Sequence, residues 1–499
     1  MKKNCILENI LVEKLVFGGK WFARLKSDNT DINGKAIFIS GWVIPGSIVN
    51  LRVLRSRKDY IESQCLEVIK KSQFEKPHPN NIFWDQAWSM WVNIPYEEQL
   101  KIKAGQIEEA LFHIKKLQPE LNIKPIIPSP LIDWYRNKIE FSFWKYISAK
   151  EHKSEHFNVW FHKQWEFSKI EDFDWTILIS DLANKIYKEI KDFAKNSWYP
   201  VYDQFHQKWF FRHIVIRQAF FTNQIMIIFS INHKFEPSPL APLPKGEGDW
   251  KSLIINFFAE FAKKYPEIKS IYLSLNDNKA DTAIWELELI YGEKFIEEKL
   301  LWITFNISPK SFFQTNSFGS EKLYSEVLNQ VNSSQLKDFT VLDLYWWTWT
   351  IWMIFAWYSK NVISVELVAD SSKDWSENAI KNWITNIEFI NAKVEDFLDD
   401  YLKDNPSQPS LNNNGRSSWK ADLLIIDPPR AWMHPSALPN ILKFKTKNII
   451  YVSCNPATLS RDLAYILENS DYKIMTITPV DMFPHTHHIE TIVKLEITH

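Results

Sequence analysis

The sequence predicts an α/β protein: an open parallel sheet preceded by a small β-barrel and a mixed α+β region. Three observations carry this. From about residue 300 onward, short apolar runs ("TVLDLY", "NVISVEL", "NIEFINA", "ADLLIIDPP", "KNIIYVS") alternate with helical stretches. That is the rhythm of βαβ units, whose ligands lie at the carboxyl ends of the strands. Residues 5–70 instead alternate β-rich runs with turns ("ILVEKLVFGGKWFARL", "KAIFISGWVIPGSIVNLRVLRSRKDYIESQCLEVI"), as a small antiparallel barrel does. Residues 125–300 mix the two kinds of pattern. A chain of 499 residues accommodates two or three domains, divided here as 1–70, 71–300 and 301–499.

Taken in order, the barrel carries a local positive charge. Residues 1–70 hold 12 Lys or Arg against 7 Asp or Glu, although the whole chain has a net charge of −1. An excess of this size suits RNA as well as it suits a solvated surface. A helical stretch follows near 96–117 ("YEEQLKIKAGQIEEALFHIKKL"), with Leu100, Ile102, Ile107 and Leu111 near one face. The middle region offers the strands of "RHIVIRQAFFTNQIMIIFSI" and a helix at "ISDLANKIYKEIKDFAK". "EPSPLAPLPKGEGDW" reads as a mobile insertion and "DNPSQPSLNNNGRSS" as a disordered one.

Several classes are excluded. No apolar run reaches the roughly 18 residues of a membrane span, and no apolar signal segment opens the chain, so a cytoplasmic protein is expected. Cys5, Cys65 and Cys454 are far apart and form no CxxC pair, which argues against a zinc site, an iron–sulfur cluster or a disulfide framework.

Glycine is scarce. The chain has 11 glycines and 24 tryptophans, where average glycine usage is roughly 7%. After the strand ending in Asp343 and Leu344, "YWWTWTIW" places Trp347, Trp349 and Trp352 at the glycine positions of a G-x-G-x-x-G turn. Such a turn needs glycine because a Cβ obstructs close approach of the backbone to a nucleotide-type ligand. Trp21, Trp42, Trp383 and Trp432 also fall where turns are expected. Three explanations compete: an aromatic surface, a decayed paralogue with a blocked pocket, or a UGA codon read as tryptophan where the organism reads glycine. The third accounts for the positions, with Trp91 a candidate for a genuine tryptophan.

With those positions read as glycine, "YRNKIEFSF", "SPKSFFQTN", "LDLY", "IIDPPR", "VSCNPATLSRDL" and "HHIETIVKL" resemble, over nearly the whole chain, the RNA uracil-5 methyltransferase family that uses S-adenosylmethionine. The resemblance implies a Rossmann-like class I methyltransferase domain, a central α+β domain that binds RNA and an N-terminal OB-like TRAM barrel. It assigns Cys454 as the nucleophile that adds to uracil C6 and Glu490 as the base that removes the C5 proton. For the cofactor it carries over Gln314, Tyr345, Glu366 and Asp427. Taken one at a time, Cys454 reads as a packed thiol and Glu490 as an exposed strand-end carboxylate. Glu366 and Asp427 taken singly read as helix caps or surface ion pairs.

The segment "FWDQAWSMWVNIPYEEQL" departs from many family members, because Gln86 and Ser89 stand where two cluster-binding cysteines belong. No iron–sulfur cluster is expected, since thiolate ligands are required. The resemblance further implies a monomer without a membrane partner, acting on RNA. The TRAM barrel favours 23S ribosomal RNA, with transfer RNA as the alternative. A non-catalytic RNA-binding protein is the rival class if the indoles at 347 and 349 are real. Even then, Cys454 and Glu490 are expected to face each other.

Overall fold

The computed structural model describes residues 3–26, 33–41, 43–76, 89–146, 156–163, 166–235, 250–279, 282–331, 333–344, 350–366, 372–403, 421–428 and 437–498. The expected insertions at 236–249 and 404–420 lie outside these residues, as do Trp42, Gln86, Tyr345, Trp347, Trp349 and Trp432. No helix among the described residues is long and apolar enough to cross a membrane.

The first sheet contains β1 (Ile6–Leu11), β2 (Lys14–Val16), β3 (Lys20–Arg24), β4 (Ala36–Ser40), β5 (Ile48–Ser56) and β6 (Tyr60–Lys70), in the order β1-β5-β6-β4-β3-β2. Alternation drives it: Val49, Leu51 and Val53 of β5 point into a core shared with Ile37, Ile39 and Ile61. An all-antiparallel barrel was expected, but β4 and β6 are parallel. The cause is placement: β6 inserts between β4 and β5 and runs opposite to β5, hence along β4. Trp21 is likewise corrected, since it lies within β3, paired with Ile39 and buried, and Gly18 and Gly19 make the turn at positive φ.

The helical stretch near 96–117 is two helices, α1 (Tyr96–Ala110) and α2 (Ile114–Leu117). The buried side of α1 is Gln99, Lys103, Gln106 and Ile107, whereas Leu100 and Ile102 are half-buried. The expected apolar stripe holds at Ile107 and Leu111, both buried, and is corrected at the start of the helix, where Gln99 and Lys103 occupy the inner face and find partners there.

The middle region contains β7 (Lys138–Tyr146), β8 (His156–Trp160), β9 (His162–Lys163), β10 (Glu166–Ile170), α3 (Asp181–Asn196), β11 (Phe211–Ala219), β12 (Gln224–Ile231), α4 (Trp250–Lys264), β13 (Ile268–Leu275) and β14 (Glu286–Gly292). Its main sheet runs β14-β13-β12-β11-β7-β8, with only β12 and β13 parallel. The α4 crossover makes that pair possible. A hairpin, β15 (Ile296–Leu300) and β16 (Ile303–Ile307), leads into the last region.

There α5 (Ser317–Asn329), α6 (Ser333–Leu336), β17 (Thr340–Leu344), α7 (Thr350–Tyr358), β18 (Asn361–Glu366), α8 (Ser372–Lys381), β19 (Ile387–Asn391), α9 (Val394–Lys403), β20 (Leu423–Ile426), α10 (Ala437–Lys443), β21 (Asn448–Ser453), α11 (Pro456–Asn469), β22 (Tyr472–Val480) and β23 (Glu490–Ile497) follow in turn. The sheet order is β19-β18-β17-β20-β21-β23-β22, parallel through β21, with β23 antiparallel to both neighbours. Every residue of β20 is buried, as helices on both faces of a parallel sheet require.

Among the described residues, three tryptophans have a left-handed backbone: Trp134 at φ 58°, Trp198 at φ 64° and Trp383 at φ 54°. All three indoles are exposed. Trp383 completes a glycine-type helix ending, in which its N–H donates to Ile380 O at 3.1 Å and the Ile384 N–H donates to Ala379 O at 2.9 Å. These are the two bonds of the Schellman motif, whose left-handed residue is usually glycine. Trp198 follows the C-cap of α3 in the same position. Trp352 differs, being buried within helical α7 with its ring edge-on to Phe389 at 5.0 Å. Its backbone makes no demand for glycine.

Candidate active site

In an open α/β sheet the ligand crevice opens where the strand order reverses. Here that point lies between β17 and β20. Asp427 follows β20 directly and its N–H reaches back toward Leu344 O, the last residue of β17, at 3.4 Å. Glu366 is the final residue of the neighbouring β18. The two predicted cofactor carboxylates therefore follow one strand flanking the crevice and end the strand next to the other, at the edge where Tyr345 continues β17 in the sequence. Carboxylates at strand ends suit ribose hydroxyls, so this edge fits a nucleoside-bearing cofactor.

Cys454 and Glu490 lie at the ends of two paired strands. Ser453, the last residue of β21, pairs antiparallel with Thr491 of β23. Cys454 directly follows Ser453 in a bend, and Glu490, the first residue of β23, pairs with Val480 of β22. Glu490 is buried and Cys454 half-buried. Cys454 also directly precedes Asn455, which caps α11 by accepting from the Ala457 N–H at 3.0 Å.

The loop from Asp481 to Ile489 delivers Glu490, and residues distant in the chain hold it. Lys103 Nζ donates to Asp481 Oδ1 at 2.6 Å and to Phe483 O at 2.9 Å, both side chains of this ion pair being wholly buried. Tyr96 donates to Asp481 Oδ2 at 3.0 Å, and Asn316 Nδ2 donates to Met482 O at 2.8 Å. Tyr135 donates to Pro484 O at 3.1 Å, and the Trp91 N–H donates to His485 O at 2.9 Å. His485 sits at φ 64°, its N–H donating to Gln99 Oε1 at 2.8 Å and its Nε2 lying 2.8 Å from Asp133. Burial lowers the Lys103 ammonium and the Asp481 charge raises it back. Burial raises the phenols of Tyr96 and Tyr135, which keeps both as donors.

The same clamp reaches Gln314. Asn316, whose side chain caps α5 by accepting from the Gly319 N–H at 2.8 Å, lies two residues after it. Asn137 Nδ2 donates to Gln314 O at 2.7 Å. Asn316 thus ties the segment after Gln314 to the loop that precedes Glu490, and Asp427 and Cys454 directly follow the adjacent strands β20 and β21. Of Glu366 only the main chain is described, and Tyr345 lies outside the described residues. Ser89, one of two positions bearing on a cluster, is buried. Lys103, Asp481, Tyr96, Gln99 and Asn137 were not singled out by the sequence.

Residues 280–498 match the family model described as tRNA (Uracil-5-)-methyltransferase. An uncharacterized RNA methyltransferase of Fusobacterium nucleatum is 33% identical over 488 residues, covering 98% of this chain and 95% of that one. Another, from Thermotoga maritima, is 30% identical, covering 98% of this chain and 99% of its own length. The fold is also that of the Pyrococcus abyssi tRNA (uracil-54, C5)-methyltransferase solved with S-adenosyl-L-homocysteine. That structure aligns with a TM-score of 0.68 at 24% identity, over 98% of this chain and 100% of the other. A catalytic sheet of this topology and relatives matched end to end lead to one conclusion: the chain belongs to the uracil-5 RNA methyltransferase family and is an S-adenosylmethionine-dependent RNA methyltransferase.

Proposed function

We propose that the protein methylates C5 of a uridine in 23S ribosomal RNA through a covalent adduct on Cys454. The observation that supports this reading is that Cys454 directly follows β21 and Glu490 opens β23, its antiparallel neighbour, whose register runs to the Ser453–Thr491 pair. S-adenosylmethionine supplies an electrophilic methyl group on its sulfonium. The Cys454 thiolate forms a bond to C6, which turns C5 into a nucleophile that takes the methyl group. The Glu490 carboxylate then removes the C5 proton. The C5–C6 double bond re-forms and the S–C6 bond breaks, releasing the thiolate. Gln314, Tyr345, Glu366 and Asp427 hold the cofactor.

In this reading residues 1–70 are a TRAM-like RNA-binding barrel, 71–300 a second RNA-binding domain and 301–499 the methyltransferase domain of a cytoplasmic monomer. Support for the barrel comes from Phe22, Phe38 and Tyr60, an edge-to-face row with centroids 6.0 and 5.7 Å apart. Lys14 and Arg24 lie 5.5 and 5.3 Å from the Phe22 ring. Phe22 itself is buried, so the half-buried Phe38 and Tyr60 are the rings offered to bases, with the cations nearby for phosphates. Transfer RNA is the second reading, favoured by the description of the matching family model.

The reading includes glycine at 347 and 349 in the protein its organism makes. Trp134, Trp198 and Trp383 support it, because a left-handed backbone under a bulky side chain is the conformation glycine relieves. Peptide mapping of protein from the native organism across residues 342–352 tests this directly. Tryptophan at 347 and 349 would favour the non-catalytic RNA-binding class. Activity is tested with Glu490→Gln and Cys454→Ser, offered 23S ribosomal RNA and transfer RNA separately. Glu490→Gln is expected to lose about 10²–10⁴-fold in turnover and to accumulate a protein–RNA adduct that survives denaturation, whereas Cys454→Ser forms none. Turnover by Cys454→Ser would overturn the covalent route, and methylation confined to transfer RNA would replace the ribosomal substrate.

A further inference from the structure

Glu298 of β15 is wholly buried and faces four donors. Its Oε1 accepts from the Phe221 N–H at 2.9 Å and the Lys299 N–H at 3.1 Å. Its Oε2 accepts from the Phe220 N–H at 2.8 Å and the Ser317 hydroxyl at 2.7 Å. Ser317 Oγ accepts in turn from Asn137 Nδ2 at 2.9 Å, and the same amide donates to Gln314 O. The Asn137 N–H donates to Thr315 O at 2.9 Å. A short relay therefore runs from the carboxylate to the main chain at Gln314.

The charged groups on the surrounding elements bond elsewhere. Glu297 pairs with Lys381, the Lys299 side chain is exposed, and Glu321 accepts from the Leu301 N–H. Arg217 donates to the carbonyls of Pro309 and Ser311, and Arg136 donates to Lys138 O. Lys138 stands across the sheet pairing from Arg217. The Glu298 pocket is therefore built from main-chain and hydroxyl donors, which only an ionised carboxylate satisfies completely.

We propose that Glu298 is a positioning residue for the cofactor side of the site, its carboxylate fixing the Gln314–Thr315 main chain through Ser317 and Asn137. The inference rests on the reading that Gln314 contacts the cofactor. Burial raises the Glu298 carboxyl and the four hydrogen bonds pull it back, leaving it at about 7. A proton on Oε2 reverses the Ser317 bond and ends acceptance from Phe220. A proton on Oε1 confronts two main-chain N–H groups. Either way the relay to Gln314 loses its fixed direction as pH falls through the neutral range.

The test is titration of S-adenosylhomocysteine into the full chain from the native organism and into variants, between about pH 5.5 and 8.5. If the protonated form does not bind, the apparent Kd rises by up to about tenfold per pH unit below the transition. Glu298→Gln is expected to bind weakly at every pH, without that slope. Ser317→Ala keeps the carboxylate but cuts the relay, so it too loses the slope, and it carries the test if Glu298→Gln does not fold. A wild-type slope in either variant, or wild-type affinity of Glu298→Gln at high pH, overturns the proposal. Gln314→Ala separates the two levels. Unchanged affinity there rejects the cofactor reading of Gln314, whereas weakened affinity with unaltered slopes in the other variants rejects the role of Glu298 alone.

Discussion

The loop that carries Glu490 and the turn that ends α8 use tryptophan in opposite ways. Trp91 is fully buried, its N–H is bonded to the loop at His485, and Lys103 lies 5.6 Å from its ring on the way to Asp481. Trp383 is 86% exposed and occupies a left-handed position that closes a Schellman turn. One indole is wanted for its bulk, whereas at the other only the backbone shape matters. Burial and backbone conformation together thus separate these two tryptophans, and the loop before Glu490 is bonded to the first.

The largest effect expected from attacking the loop comes at its ion pair. Lys103→Met leaves Asp481 charged and buried without its partner, which typically costs about 3–5 kcal/mol. Denaturant unfolding is expected to show that loss, and turnover should fall with it because Phe483 O loses its donor. Adding Asp481→Asn should restore part of the stability, and the double-mutant cycle then reports the coupling. Strict additivity of the two changes would mean that the clamp does not work through this contact.

Next in size is Trp91→Gly. Emptying a fully buried indole site costs about 3–5 kcal/mol on the scale of large-to-small core substitutions, here tempered because the bond from the residue 91 N–H to His485 O survives. A loss below about 1 kcal/mol would place position 91 with the glycine-like set.

How much of this was legible depends on what each residue does. The strands of the last sheet announce themselves as apolar runs because both of their faces are covered. β22 was missed, since "YKIMTITPV" alternates and lies at the sheet edge. Cys454 and Glu490 were named through motif resemblance, and the structure puts them just after β21 and at the start of β23, two paired strands. Lys103 was invisible because a lysine within "EEQLKIKAG" looks like a solvated helix face. Its partner is in a loop nearly 380 residues away, at Asp481. Glu298 was hidden likewise among the acids of "EKFIEEKL", where alternation alone does not reveal which one turns inward. Trp383 was placed at a turn from the sequence, whereas the glycine-like character of Trp198 needed its backbone angle.

The smallest expected effect draws the comparison most finely. Trp383→Gly removes an exposed ring and relieves a Cβ from a backbone at φ 54°. Glycine pays more conformational entropy on folding, which opposes the gain, but a strained left-handed position for a bulky residue costs on the order of 1–3 kcal/mol. The balance predicts a stabilisation of about 1 kcal/mol, opposite in sign to Trp91→Gly. Trp383→Ala serves as the control, because it deletes the ring while keeping the Cβ. If ring exposure were the whole penalty, alanine would stabilise as much as glycine. If the backbone sets it, glycine alone gains, and the measured difference is the strain that a misread glycine codon would introduce at a helix end.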